Sequence, residues 1–148
     1  MKLNMTMSWA IIGSVATAAV MLTMAVQPSY AHHAFAAEFD QNKPFSVTGV
    51  VSKVDWRNPH VYVYVDAKAD DGKTVTDAME CNSVNTLVHK GWTRDALKRG
   101  DPVTVSAFGA KDPRPLADGS IHANARSIKF ADGRTVSAGS SAGEDAKK

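Results

Sequence analysis

The sequence predicts a mainly β domain: a small antiparallel barrel of five to six strands that resembles an OB-fold, with one short helix between the third and fourth strands. Three observations lead there. Short runs alternate apolar and polar residues with period two and are rich in β-branched side chains, turn residues separate them, and only one stretch carries helix-capping chemistry.

The first run is Phe45 to Trp56 (FSVTGVVSKVDW), whose alternation is that of a half-buried strand. Pro59 marks a turn, and His60 to Ala67 (HVYVYVDA) alternates again up to the Asp70-Asp71-Gly72 turn. These two strands should pair antiparallel. Thr74 to Cys81 (TVTDAMEC) reads as the third strand, ending where Asn82 and Ser83 can cap a helix over Val84 to Lys90, with Gly91 as its C-terminal stop. Trp92 to Gly100 is a polar excursion with room for another helical turn. Pro102 to Phe108 is the fourth strand, Ile121 to Phe130 the fifth, and Arg134 to Ala138 a short last one.

The first 31 residues have the organisation of a cleavable signal peptide. Lys2 is followed by an apolar stretch from Trp9 to Val26, and Ser29 and Ala31 are the small residues of a cleavage site. A membrane anchor is disfavoured, since Gly13, Ser14, Thr17 and Thr23 dilute the stretch and no basic stop-transfer cluster follows. The expected organisation is therefore a signal peptide at 1–31, an N-terminal segment at 32–44, a β-barrel domain at 45–138 and a disordered tail at 139–148. The mature protein would be periplasmic or secreted, with no membrane span after cleavage. Cleavage removes one lysine and no acid, leaving 16 Lys and Arg against 15 Asp and Glu, so no basic field exists to attract nucleic acid. It also removes five of the six methionines, which excludes a methionine-rich copper carrier. Cys81 is the sole cysteine, so no internal disulfide can form, and in a strand it is expected to be a small buried apolar residue.

Cleavage after Ala31 would make His32 and His33 the first two residues. An N-terminal His can offer its α-amine and its ring Nδ1 to one metal ion, and a second imidazole can complete a three-nitrogen site, a donor set that suits Cu(II). His33 could add its ring or its main-chain nitrogen. Locally this resembles the histidine brace of exported copper proteins. The distal ligand is expected to be His60, at the start of the second strand behind Asn58-Pro59, with His122 the second choice. The competing reading is that the pair is only a polar chain start and that His60 caps a turn. His89, late in the helix, is left outside the site.

Of the acidic residues, Glu80 stands between Met79 and Cys81. An exposed strand-face charge is preferred there over a buried partner of Arg126. There is no G-x-S-x-G and no phosphate-cradling glycine loop, so no enzymatic activity is expected. Tyr62 and Tyr64 share one strand face and Val61, Val63 and Val65 the other; valines inside would leave a tyrosine stripe suited to binding, and cross-strand packing explains the stripe equally well. Trp92 is expected to plug the core. Two functions follow: a periplasmic metal-binding protein, copper first, using His32, His33 and His60; or a metal-free OB-like interaction module that binds an envelope protein or a glycan through its aromatic face.

His32 to Asp40 (HHAFAAEFD), Trp56 to Asp66 (WRNPHVYVYVD), Gly91 to Asp101 (GWTRDALKRGD) and Ala123 to Gly133 (ANARSIKFADG) together resemble an exported bacterial family, catalogued as domain of unknown function 6152. The resemblance implies a secretory context and a small β-rich domain, and no activity. Cys81 departs from the family's pattern, which tells against a thiol mechanism.

Overall fold

Residues 35–139 are the part of the chain that the computed structural model describes. The expected leader, His32, His33 and all but the first residue of the expected tail lie outside them. Within them, six strands form one sheet: β1 (Phe39–Trp56), β2 (Val61–Lys68), β3 (Thr74–Glu80), β4 (Pro102–Ala110), β5 (Ile121–Phe130) and β6 (Thr135–Ser137), with α1 (Val84–His89) between β3 and β4. The sheet order is β3-β2-β1-β4-β5-β6, and β3 also pairs with β5. That pairing closes a ring, β1-β2-β3-β5-β4, which is the strand circuit of an OB-fold. It is parallel, whereas every other pairing is antiparallel, so the expected all-antiparallel arrangement is corrected at that one seam.

Each strand forms where the alternation put it. The main difference is β1, which begins at Phe39, six residues ahead of the alternating run, because Phe39 and residues 44–50 pair with β4 before residues 50–56 turn to β2. The change of partner falls at Gly49 and Val50. A Cβ on Gly49 would lie 2.3 Å from the Asp66 carbonyl oxygen, so only glycine lets β2 approach so closely there.

The valines are inside. Val61, Val63 and Val65 are wholly buried and meet Val51, Val105, Ile128 and Met79 in the ring interior. Helix α1 is short enough to depend on packing. Ser83 caps it, its Oγ accepting from the Thr86 N–H, and Leu87 is its one buried residue, anchored in the core. Burying a leucine fully contributes about 1.5–3 kcal/mol. Trp92 plugs the core as expected, 3% exposed, with its indole N–H donating to the Ser137 carbonyl at 3.0 Å. Residues 93–100 form turns rather than another helical turn. No helix of the described residues is long and apolar enough to cross a membrane.

The outer face of the ring carries a second, smaller apolar cluster. Residues 35–38 are helical and lead into β1, and Phe35 and Phe39 pack on Phe108 of β4.

Candidate functional site

Strand parity decides which side chains meet outside the ring. Met79 and Cys81 point inward, so Glu80 between them points outward. Register then supplies its neighbours. Tyr62 of β2 lies opposite Glu80, Asn124 of β5 lies on its other side, and Phe108 of β4 is opposite Asn124. His122 stands one pleat away, opposite Ala78, and His60 closes the turn just before β2.

Glu80 is the hub of this group. Its Oε1 lies 2.8 Å from His60 Nδ1, and its Oε2 accepts from the Tyr62 hydroxyl at 2.7 Å and lies 3.0 Å from His122 Nε2. The Glu80 side chain is 8% exposed, that of His122 18% and that of His60 37%. A carboxylate so enclosed would ordinarily be neutralised. Burial does push its pKa up, but the hydrogen bonds from His122 and Tyr62 and the nearby imidazoles outweigh that, and the pKa lies below the usual glutamate value. Tyr62 is moved the other way, by burial first and then by its bond to Glu80, so its phenol keeps its proton.

The charged carboxylate has only acceptor sites, so a neutral His122 must give it an N–H. This assigns His122, from the hydrogen-bond pattern, as protonated on Nε2, while His60 turns its Nδ1 edge to the same carboxylate. The His122 ring is also fixed on both sides, stacked on Tyr62 at 6.1 Å and edge-on to Phe39 at 4.9 Å between centroids. It lines a cleft of about 370 Å3 between Ala37 and Glu38 on one side and the β4–β5 loop on the other.

His60, the expected distal ligand, is thus a half-exposed imidazole gripped by a buried carboxylate. His32 and His33 lie outside the described residues. Glu80 is buried, not an exposed strand-face charge, and its partners are not Arg126, whose guanidinium sits 5.0 Å over the Phe108 ring. The tyrosines do occupy the face opposite the valines, but they are not an open stripe. Tyr64 is 8% exposed with the Lys53 ammonium 5.1 Å from its ring centre, and Arg57 lies 4.5 Å over Tyr62. His89 is exposed in the last turn of α1. Cys81 is wholly buried, and burial, reinforced by the Glu80 charge, pushes its thiol pKa up. Among the described residues, no group of three or more His, Cys, Asp or Glu is arranged to hold a metal ion.

The Asn124 side-chain amide is buried beside Glu80 with its Nδ2 unpartnered. Sequence reasoning named Tyr62, Glu80 and His122 in separate roles but not as one row, and missed Asn124. The row's signal was the shared outward parity of Tyr62, Glu80, His122 and Asn124, which has meaning only once β3 and β5 are known to be neighbours.

Among solved structures, the fold is similar to the mitochondrial single-stranded DNA-binding protein Rim1 of S. cerevisiae, at 15% identity and a TM-score of 0.46, over 65% of this chain and 98% of that one. No curated protein matches by sequence. Residues 18–117 match a family of unknown function, DUF6152, and the chain belongs to that family.

Proposed function

We propose that this chain is a periplasmic metal-binding protein, with copper as its metal, in which His60 of the folded domain acts together with His32 and His33 of the processed N-terminus. One observation carries the proposal: His60 Nδ1 lies 2.8 Å from a buried carboxylate. Ligating histidines almost always hand their second ring nitrogen to a carboxylate, carbonyl or water, which fixes the tautomer and raises the basicity of the nitrogen that binds. Glu80 stands where it would do both for Nε2 of His60. The remaining donors, the α-amine and ring of His32 with His33 beside it, are drawn from the sequence alone and require cleavage after Ala31.

Such a protein stores, delivers or buffers its metal. The metal-free interaction module has less behind it, because Arg57 covers Tyr62 and Tyr64 is buried. The test is to export the protein, establish the N-terminus by intact mass and titrate Cu(II) against a competing chelator. Binding should weaken sharply in His32→Ala, in His60→Ala and when one residue is left ahead of His32. A processed wild type that binds no tighter than these variants overturns the proposal.

A further inference from the structure

We infer that the cleft beside His122 is a binding site for a small primary amine, an ammonium group carried on a short apolar body; the inference involves no metal and stands apart from the reading above. The shape comes first. The cleft holds about 370 Å3, near the low end of the roughly 300–1,000 Å3 that take small molecules, so its occupant is short. Ala37 and Ala110, with Pro115 and Leu116 of the β4–β5 loop, give it apolar walls, and its polar lining is confined to Glu38, Asp112, Arg114 and His122. Apolar walls with a few convergent polar groups are the usual form of such a site.

The polar groups decide the sign of the occupant's charge. His122 turns Nε2 to Glu80, 3.0 Å away, so in the neutral ring the polar atom left for a ligand is the Nδ1 lone pair, an acceptor. The ring is held in place between Tyr62 and Phe39. Glu38 is exposed, and among the described residues no lysine, arginine or histidine forms an ion pair with its carboxylate. Its charge still reaches into the site, where it adds to burial and to Glu80 in keeping the Tyr62 phenol protonated. The other ionic groups are already matched. Arg114 Nε donates to Asp112 Oδ2 at 2.9 Å, and Lys111, outside the lining, gives its ammonium to the Ala36 carbonyl. The cleft thus presents an unpaired carboxylate and an imidazole acceptor, with the Glu80 charge buried behind that ring and the lining arginine committed elsewhere. Such a set accepts from an ammonium N–H and repels a carboxylate or phosphate.

The experiment titrates the exported, metal-free protein with n-butylammonium, n-butanol and butyrate, following the Leu116 methyl and His122 ring signals by NMR at a pH where the imidazoles are neutral. Butylammonium should move both sets of signals saturably, n-butanol should bind at least about twofold more weakly, and butyrate should move neither at the same concentrations. Glu38→Gln removes one charge from an exposed side chain and should weaken butylammonium by about two- to fivefold while leaving n-butanol unchanged. Arg114→Gln frees Asp112 and should act in the opposite direction, tightening butylammonium, which a general loss of structure would not do. The inference is overturned by any of four results: no saturable shift at Leu116 and His122, butyrate or n-butanol binding as tightly as butylammonium, unchanged butylammonium binding in Glu38→Gln, or weaker binding in Arg114→Gln. None of these bears on copper, which His32→Ala and His60→Ala test separately.

Discussion

Replacing Glu80 by alanine should destabilise the fold by about 2–5 kcal/mol, because it strands donors that cannot all reach water. Of its three partners, His60 is 37% exposed on its side chain and can be rehydrated. His122 and Tyr62 are more enclosed, His122 at 18% and sandwiched between Phe39 and Tyr62. A donor left unsatisfied in a buried position costs about 1–3 kcal/mol, and two such donors account for most of the loss. Relief of the carboxylate's own desolvation offsets part of it, which keeps the total below the sum of its two hydrogen bonds and the His60 contact. For a domain of this size each kcal/mol lowers Tm by about 4–8 °C, so a fall of about 10 °C or more is expected in thermal unfolding followed by circular dichroism. The pH dependence has a fixed sign. Glu80 titrates below its usual value of 4.5, so its contribution is complete above that pH and is lost as the pH falls through the lower folded-state value. Glu80→Gln should therefore show a flatter loss of stability than wild type over the acid limb. A Glu80→Ala protein within about 0.5 kcal/mol of wild type, the range of ordinary surface substitutions, would refute the hub.

Other changes test the frame around the site. Gly49→Ala puts a methyl 2.3 Å from a backbone oxygen of β2 and should cost about 1–3 kcal/mol or more, read from urea denaturation. Ser83→Ala removes the acceptor for the Thr86 N–H at the start of α1 and should cost about 1 kcal/mol by the same measurement. Cys81 should resist an aromatic disulfide reagent in the native protein and react only as the chain unfolds, since it is wholly buried with its thiol pushed up; prompt native labelling would contradict that placement.

Much of the fold was legible because period-two alternation reports directly on a sheet with one buried face. Val61, Val63 and Val65 against Tyr62 and Tyr64 announced β2 and its two sides, and Asn82-Ser83 announced the helix start. The parallel seam between β3 and β5 leaves no local trace, since residues 80 and 124 become neighbours only when the ring closes. For that reason the sequence left Glu80 looking like a solvated charge. Residues 39–44 escaped for a different reason: DQNKP lacks an apolar alternation, and the segment pairs with β4 only at its ends, Phe39 with Ala110 and Pro44 with Phe108. His60 was legible as a candidate because proline precedes it at a strand start; the carboxylate that orients it was not.

The orientation of His60 is the central claim, and the tautomeric state of its ring tests it most directly. In the metal-free protein at a pH where its imidazoles are neutral, long-range 1H–15N correlation spectra distinguish a protonated from an unprotonated ring nitrogen. The account predicts His60 protonated on Nδ1, His122 protonated on Nε2, and loss of the His60 preference in Glu80→Gln. A His60 ring protonated on Nε2 in the wild type would contradict it, since the nitrogen meant for the metal would then carry the proton.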